Sequence, residues 1–147
     1  MTKKTYDEIF KNRMKEFFEK FAIVKTEYEI LRLPRKVDIL VIEANEPIQE
    51  HVLLFKYFKK FNIIEFKSEQ DRFRTRDLYK MGYYINGVLL KEDEAKIENT
   101  TFTLVSTYKP MVLFKRYKPE KLKKGLYKIS GMSIIDVYVV PRFRTGM

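Results

Sequence analysis

Cysteine and tryptophan are absent from this chain, histidine occurs once (His51), and glycine and proline occur five times each in 147 residues. Each shortage removes a class of function. Without cysteine there are no disulfides and no thiolate metal centres, which agrees with a reducing, cytoplasmic setting. With one histidine and no cysteine, no Ser/His/Asp or Cys/His constellation is credible. His51 is read as a loop residue rather than a ligand or base. There is no glycine-rich phosphate loop, no internal repeat and no low-complexity segment. No long uncharged apolar run exists, so no membrane-crossing helix is expected. Met1-Thr2-Lys3-Lys4 is not followed by an apolar stretch, so a secretory signal is not expected either.

What the chain does have is charge and aromatic bulk. Thirty Lys and Arg face twenty Asp and Glu, a net charge of +10, and 45% of residues are hydrophobic. The length suits one domain over residues 1–147, with 140–147 expected to fray. The charge excess points to a polyanionic partner, nucleic acid first. A generic lysine-rich surface accounts for it equally well.

Two short apolar runs are each interrupted by charge: Val37-Asp38-Ile39-Leu40-Val41-Ile42 and Asn62-Ile63-Ile64-Glu65-Phe66-Lys67-Ser68. Both are too short for helices and rich in β-branched residues, so both read as buried strands. A charge inside such a run is costly to desolvate unless it is paired or binds a metal. Strand side chains alternate, so Glu65 and Lys67 share a face. If the two strands pair antiparallel, Asp38 falls near Glu65 and Lys67 at one sheet edge. Two carboxylates there make a hard-oxygen site suited to Mg²⁺ or Mn²⁺.

The remaining pattern alternates helix and strand. Thr5-x-x-Glu8 is a capping box, and Phe10, Met14, Phe17, Phe18 and Phe21 follow helical spacing, which predicts a helix over 6–21. Glu8, Glu16 and Glu19 on it read as solvated. A first strand over 24–33 ends at Pro34. The segment from His51 to Phe61 interleaves aromatics and lysines; core filling is preferred over stacking on nucleic acid. A helix is expected over 72–87, carrying Arg72, Arg74, Arg76 and Lys80 near its start. These bind phosphates or, equally, form ordinary surface charge balanced by Asp71 and Asp77. Beyond lie a charged loop over 91–99, a strand over 101–108 and a helix from Pro110 to Tyr117. A basic stretch over 115–124 reads as a loop or a second DNA-facing surface. Strands over 127–129 and 134–140 complete the order.

The set Asp38 … Glu65-x-Lys67 resembles the PD-(D/E)XK nuclease superfamily, with the usual Pro before the Asp displaced to Pro34. Within it, Asn62–Ser68, Asp77-Leu78-Tyr79-Lys80-Met81-Gly82-Tyr83, Thr103–Ser106 and Gly125-Leu126-Tyr127 are similar to small stand-alone transposase-like, recombination-promoting nucleases. The resemblance implies an α/β fold with a restriction-endonuclease-like core, a mixed central β-sheet flanked by helices. It implies a metal-dependent DNA endonuclease from a mobile element or a defence or recombination system. Asp38, Glu65 and Lys67 would be catalytic, and Asp38, Glu65 and the Phe66 backbone carbonyl would hold Mg²⁺ or Mn²⁺. It further implies that a polar residue and a tyrosine of the next helix touch the site, with Asp77 and Tyr79 at the matching positions. Nucleic acid would meet Arg72, Arg74, Arg76, Lys80 and Tyr79. The expected partner is DNA, with no membrane, and the resemblance admits a homodimer. The alternative is a catalytically inactive nucleic-acid-binding module with a nuclease-like fold.

Overall fold

A computed structural model describes residues 6–26, 39–44 and 54–143. The helices are α1 (Tyr6–Glu19), α2 (Thr75–Lys91) and α3 (Met111–Tyr117). The strands are β1 (Ile23–Lys25), β2 (Ile39–Glu43), β3 (Phe61–Lys67), β4 (Thr100–Ser106), β5 (Glu120–Lys123), β6 (Leu126–Ile129) and β7 (Asp136–Val140). Seven strands form one mixed sheet in the order β1-β2-β3-β4-β7-β6-β5. β3, β4 and β7 run parallel at its centre, and β1, β2, β6 and β5 add antiparallel on either side. All seven residues of β3 and all seven of β4 are buried, as expected of parallel strands covered on both faces.

Side-chain alternation divides the core in two. Phe10, Met14 and Phe18, spaced by four along α1, pack with Leu40, Ile42, Ile64 and Phe66 on one face of the sheet. Met81, Ile85 and Val88 of α2 and Leu113 of α3 pack with Ile39, Ile63, Phe102, Leu104 and Val137 on the other. The architecture is therefore a mixed α/β sheet flanked by helices. Asn62 at the start of β3 is fully buried yet satisfied. Its amide donates to the carbonyls of Lys59 (2.7 Å) and Ile42 (3.2 Å), and its oxygen accepts from the Lys59 N–H (2.8 Å) and the Thr101 hydroxyl (2.7 Å).

Several expectations are refined. The first strand is described over Ile23–Lys25; the rest of that expected strand, Asp38 and His51 lie outside the described residues. In the aromatic segment before β3, Phe55 is buried, Phe58 stacks on Phe18 at 5.4 Å and Tyr57 stacks on Tyr138 at 3.8 Å. Their packing is that of a core. Helix α2 begins three residues later and ends four later than expected, because Arg74 is extended and Asp77 caps the first turn. Pro110 caps α3 rather than sitting in its first turn. The basic stretch after α3 contains an edge strand, β5, all four of whose residues are exposed. Of the segment expected to fray, Val140 closes β7, and the Arg142 and Phe143 N–H groups donate to the Tyr108 and Ser106 carbonyls at 3.4 and 2.8 Å. Phe143 also meets Phe10 edge-on.

Candidate active site at the end of strand β3

Glu65 and Lys67 emerge on the α2 face at the C-terminal end of β3. Glu65 is paired with Ile39 on one side and Leu104 on the other, and Lys67 with Ser106. The carboxylate thus sits in an apolar frame at 4% exposure, and the lysine is buried beside it at 7%. Such burial would be unfavourable for either charge alone. The Lys67 Nζ lies 3.8 Å from Glu65 Oε1, 3.2 Å from Asp71 Oδ2 and 3.5 Å from Asp77 Oδ1. Lys80 approaches Asp77 at 3.9 Å.

Local folding explains how these groups meet. Asp71 falls four residues after Lys67, in the turn in which the Asp71 N–H donates to the Ser68 carbonyl. Asp77 stands in the first turn of α2, where its Oδ2 accepts the Arg74 N–H at 2.7 Å, satisfying a donor the helix cannot. Its other oxygen turns to Lys67. The extended approach to α2 is held by the Tyr108 hydroxyl, which accepts the Phe73 N–H, while the Arg72 guanidinium lies 4.5 Å over the Tyr108 ring.

The electrostatics follow from this geometry. Burial pushes the Glu65 carboxyl up to about 7; Lys67 pulls it down and Asp77 pushes it further up. Burial works against the Lys67 ammonium, but Glu65, Asp71 and Asp77 together hold its pKa above that of an ordinary lysine. Burial, and after it Glu65, pushes the Tyr84 phenol up to about 12. Glu65 Oε2 is buried and has no hydrogen-bond partner among the described residues, as do the hydroxyls of Ser68 and Tyr83. A buried carboxyl oxygen left without a partner in an apolar frame suits a proton or, in its place, a divalent cation. Among the described residues no group of three or more His, Cys, Asp or Glu is arranged to hold a metal. Glu65 therefore fits as one donor, with Asp38, the neighbour of Ile39 in sequence, outside the described residues.

Of the residues predicted from sequence, the structure brings Glu65 and Lys67 together. Phe66 turns its side chain to the opposite face, where its ring stacks on Phe10 at 3.6 Å, so any role in the site is left to its backbone. Tyr79 is 78% exposed; Asp77, not Tyr79, is the residue of α2 that reaches Lys67. Arg74 and Arg76 are exposed, Arg72 is held by Tyr108, and Lys80 faces Asp77. Sequence reasoning missed Asp71 as a partner of Lys67; its i,i+4 spacing was the available signal. Comparison of the chain with protein-family models, with curated proteins and with solved structures finds no match. Among the described residues no helix is long and apolar enough to cross a membrane.

Proposed function

We propose that this chain is a metal-dependent endodeoxyribonuclease that hydrolyses phosphodiester bonds at the end of β3. The observation that carries the reading is a buried Glu65 whose Oε1 lies beside the buried Lys67 and whose Oε2 has no hydrogen-bond partner among the described residues. Packing alone requires neither group. Asp38, Glu65 and the Phe66 carbonyl would hold Mg²⁺ or Mn²⁺. Bound there, the ion would lower the pKa of the attacking water and neutralise charge developing on the phosphate. Lys67 contacts a non-bridging phosphate oxygen and stabilises the extra negative charge of the transition state. Asp71 and Asp77 keep that ammonium protonated and aimed across the strand end. The apolar frame of Ile39 and Leu104 excludes bulk water, which strengthens both effects.

A second reading is favoured by one observation: the Lys67 ammonium already has three carboxylates within 4 Å. That is also how a structural ion cluster satisfies itself, and it fits a nuclease-like module that binds nucleic acid without cutting it. Supercoiled plasmid incubated with Mg²⁺, Mn²⁺ or EDTA separates the two. The parent nicks only with metal, and Asp38→Ala, Glu65→Gln and Lys67→Ala lose nicking while keeping their far-UV spectrum. Nicking by Lys67→Ala at the parent rate would overturn the mechanism.

A further inference from the structure

The net charge is unevenly placed along the chain. Between Glu65 and Lys80, around the candidate site, five cations face four acids. Between Lys109 and Lys128 the sequence holds eight cations and one acid, Glu120, a net charge of +7, although Lys128 is paired with Asp136 at 3.7 Å. The fold spreads it over α3, β5 and β6, with β5 as the last strand of the sheet and every residue of it exposed. Pairing with β6 slips between Lys121 and Lys123, a bulge that makes this edge a poor template for a further strand. Lys118, with φ of 48°, turns the chain from α3 into β5.

Topology ties this edge to the candidate site. Lys67 pairs with Ser106 at the end of β4, and β4 runs parallel to β7, whose last residue is Val140. Tyr127, early in β6, pairs with Val139, near the end of β7, and Leu126 pairs with Lys123, the last residue of β5. The Lys124–Gly125 turn therefore lies at the same end of the sheet as Lys67. The helix α3 starts from that end too, following β4 through Thr107–Pro110.

We infer that the β5 edge and its turn bind the phosphate backbone of double-stranded DNA and lead it to the end of β3. This deepens the nuclease reading and rests on its choice of DNA as substrate. It moves the main backbone contact away from Arg72, Arg74, Arg76 and Lys80, a stretch whose net charge is only +1 between Glu65 and Lys80, with Lys80 drawn to Asp77 and Arg72 lying over the Tyr108 ring. A phosphate polyanion is the occupant that an exposed strand of this charge fits, because each phosphate neutralised by a lysine releases condensed counterions.

The test is fluorescence anisotropy of a labelled duplex with the full chain in EDTA at several salt concentrations, so that cutting plays no part. Lys121→Gln/Lys123→Gln/Lys124→Gln is compared with Arg74→Gln/Arg76→Gln; all five positions are exposed, so both variants keep the fold. The parent binds with steep salt dependence. The lysine triple weakens binding at least tenfold and flattens the log–log salt slope by about 2–3, near 0.9 per lost phosphate contact; the arginine pair changes it by less than half as much. Parent-like binding by the triple, no duplex binding by the parent, or equal binding to poly-glutamate would each overturn the inference. Metal-dependent plasmid nicking, scored separately, reports on the nuclease reading. A triple that binds like the parent while the parent still nicks removes the β5 edge and leaves the nuclease.

Discussion

On the face of β3 that meets α1, Asn62 has every polar atom satisfied and is followed by Ile64 and Phe66, locked among Phe10, Phe18 and Phe55. On the face that meets α2, Ile63 is followed by Glu65 and Lys67, and one Glu65 oxygen is left without a partner among the described residues. The two faces belong to one strand and are equally buried. The α1 face shows that this fold can bury a polar side chain and satisfy it completely. The residual oxygen on the α2 face is therefore not a general cost of burying polar groups here. It is confined to the end of the strand where the sheet opens towards the start of α2. One face is built for packing, the other for holding charge.

The largest effect that would sharpen this contrast lies on the packing face. Phe18 is fully buried and meets Phe17, Phe21, Phe55 and Phe58, so Phe18→Ala lowers unfolding free energy by about 4 kcal/mol through the cavity it leaves. Urea denaturation measures it, and a loss under about 1 kcal/mol would mean that face is loosely packed.

On the charged face the expected loss has a different origin. Lys67→Ala leaves Glu65 and Asp77 without their shared cation and costs about 3 kcal/mol. Glu65→Gln placed in the Lys67→Ala background recovers part of that loss, because position 65 then no longer has to take up a proton or hold a charge without its partner. Phe18→Ala and Glu65→Gln share no contact, so their effects add. A double-mutant cycle in urea reads both statements. Additivity of Lys67→Ala with Glu65→Gln would break the comparison.

Much of this was legible in the sequence, for physical reasons. The phenylalanine spacing of α1 and the apolar runs of β2 and β3 are strong because these elements are buried. Glu65 and Lys67 stood out because charge within such a run is expensive. The edge strand β5 was not legible: Glu120-Lys121-Leu122-Lys123 has no buried side to leave a periodic mark. Nor was the register, which sets Ile39 rather than an acid opposite Glu65. The reach of Asp77 to Lys67 depends on where α2 starts, and local sequence fixes helix ends weakly.

The smallest of the three effects is a pH dependence. In the folded chain Glu65 holds its proton up to about pH 7, above its ordinary 4.5, because burial, reinforced by Asp77 and Asp71, outweighs the pull of Lys67 and Lys80. The folded state binds that proton more tightly than the unfolded chain. Its contribution is complete below about pH 4.5 and is lost as pH rises through about 7, by no more than about 3 kcal/mol. Unfolding measured in chelator between these limits shows the parent losing stability relative to Glu65→Gln. A constant difference between them would place Glu65 in water.

As proposed above, the charge at the end of β3 would serve a divalent cation. Titration with Mn²⁺, followed by the loss of the free-ion signal in electron paramagnetic resonance, tests it without any nucleic acid. The expected result is uptake by the parent, loss of that uptake in Glu65→Gln and in Asp38→Ala, and retention in Phe18→Ala. A parent that takes up no Mn²⁺, or a Glu65→Gln variant that takes it up as the parent does, would contradict it.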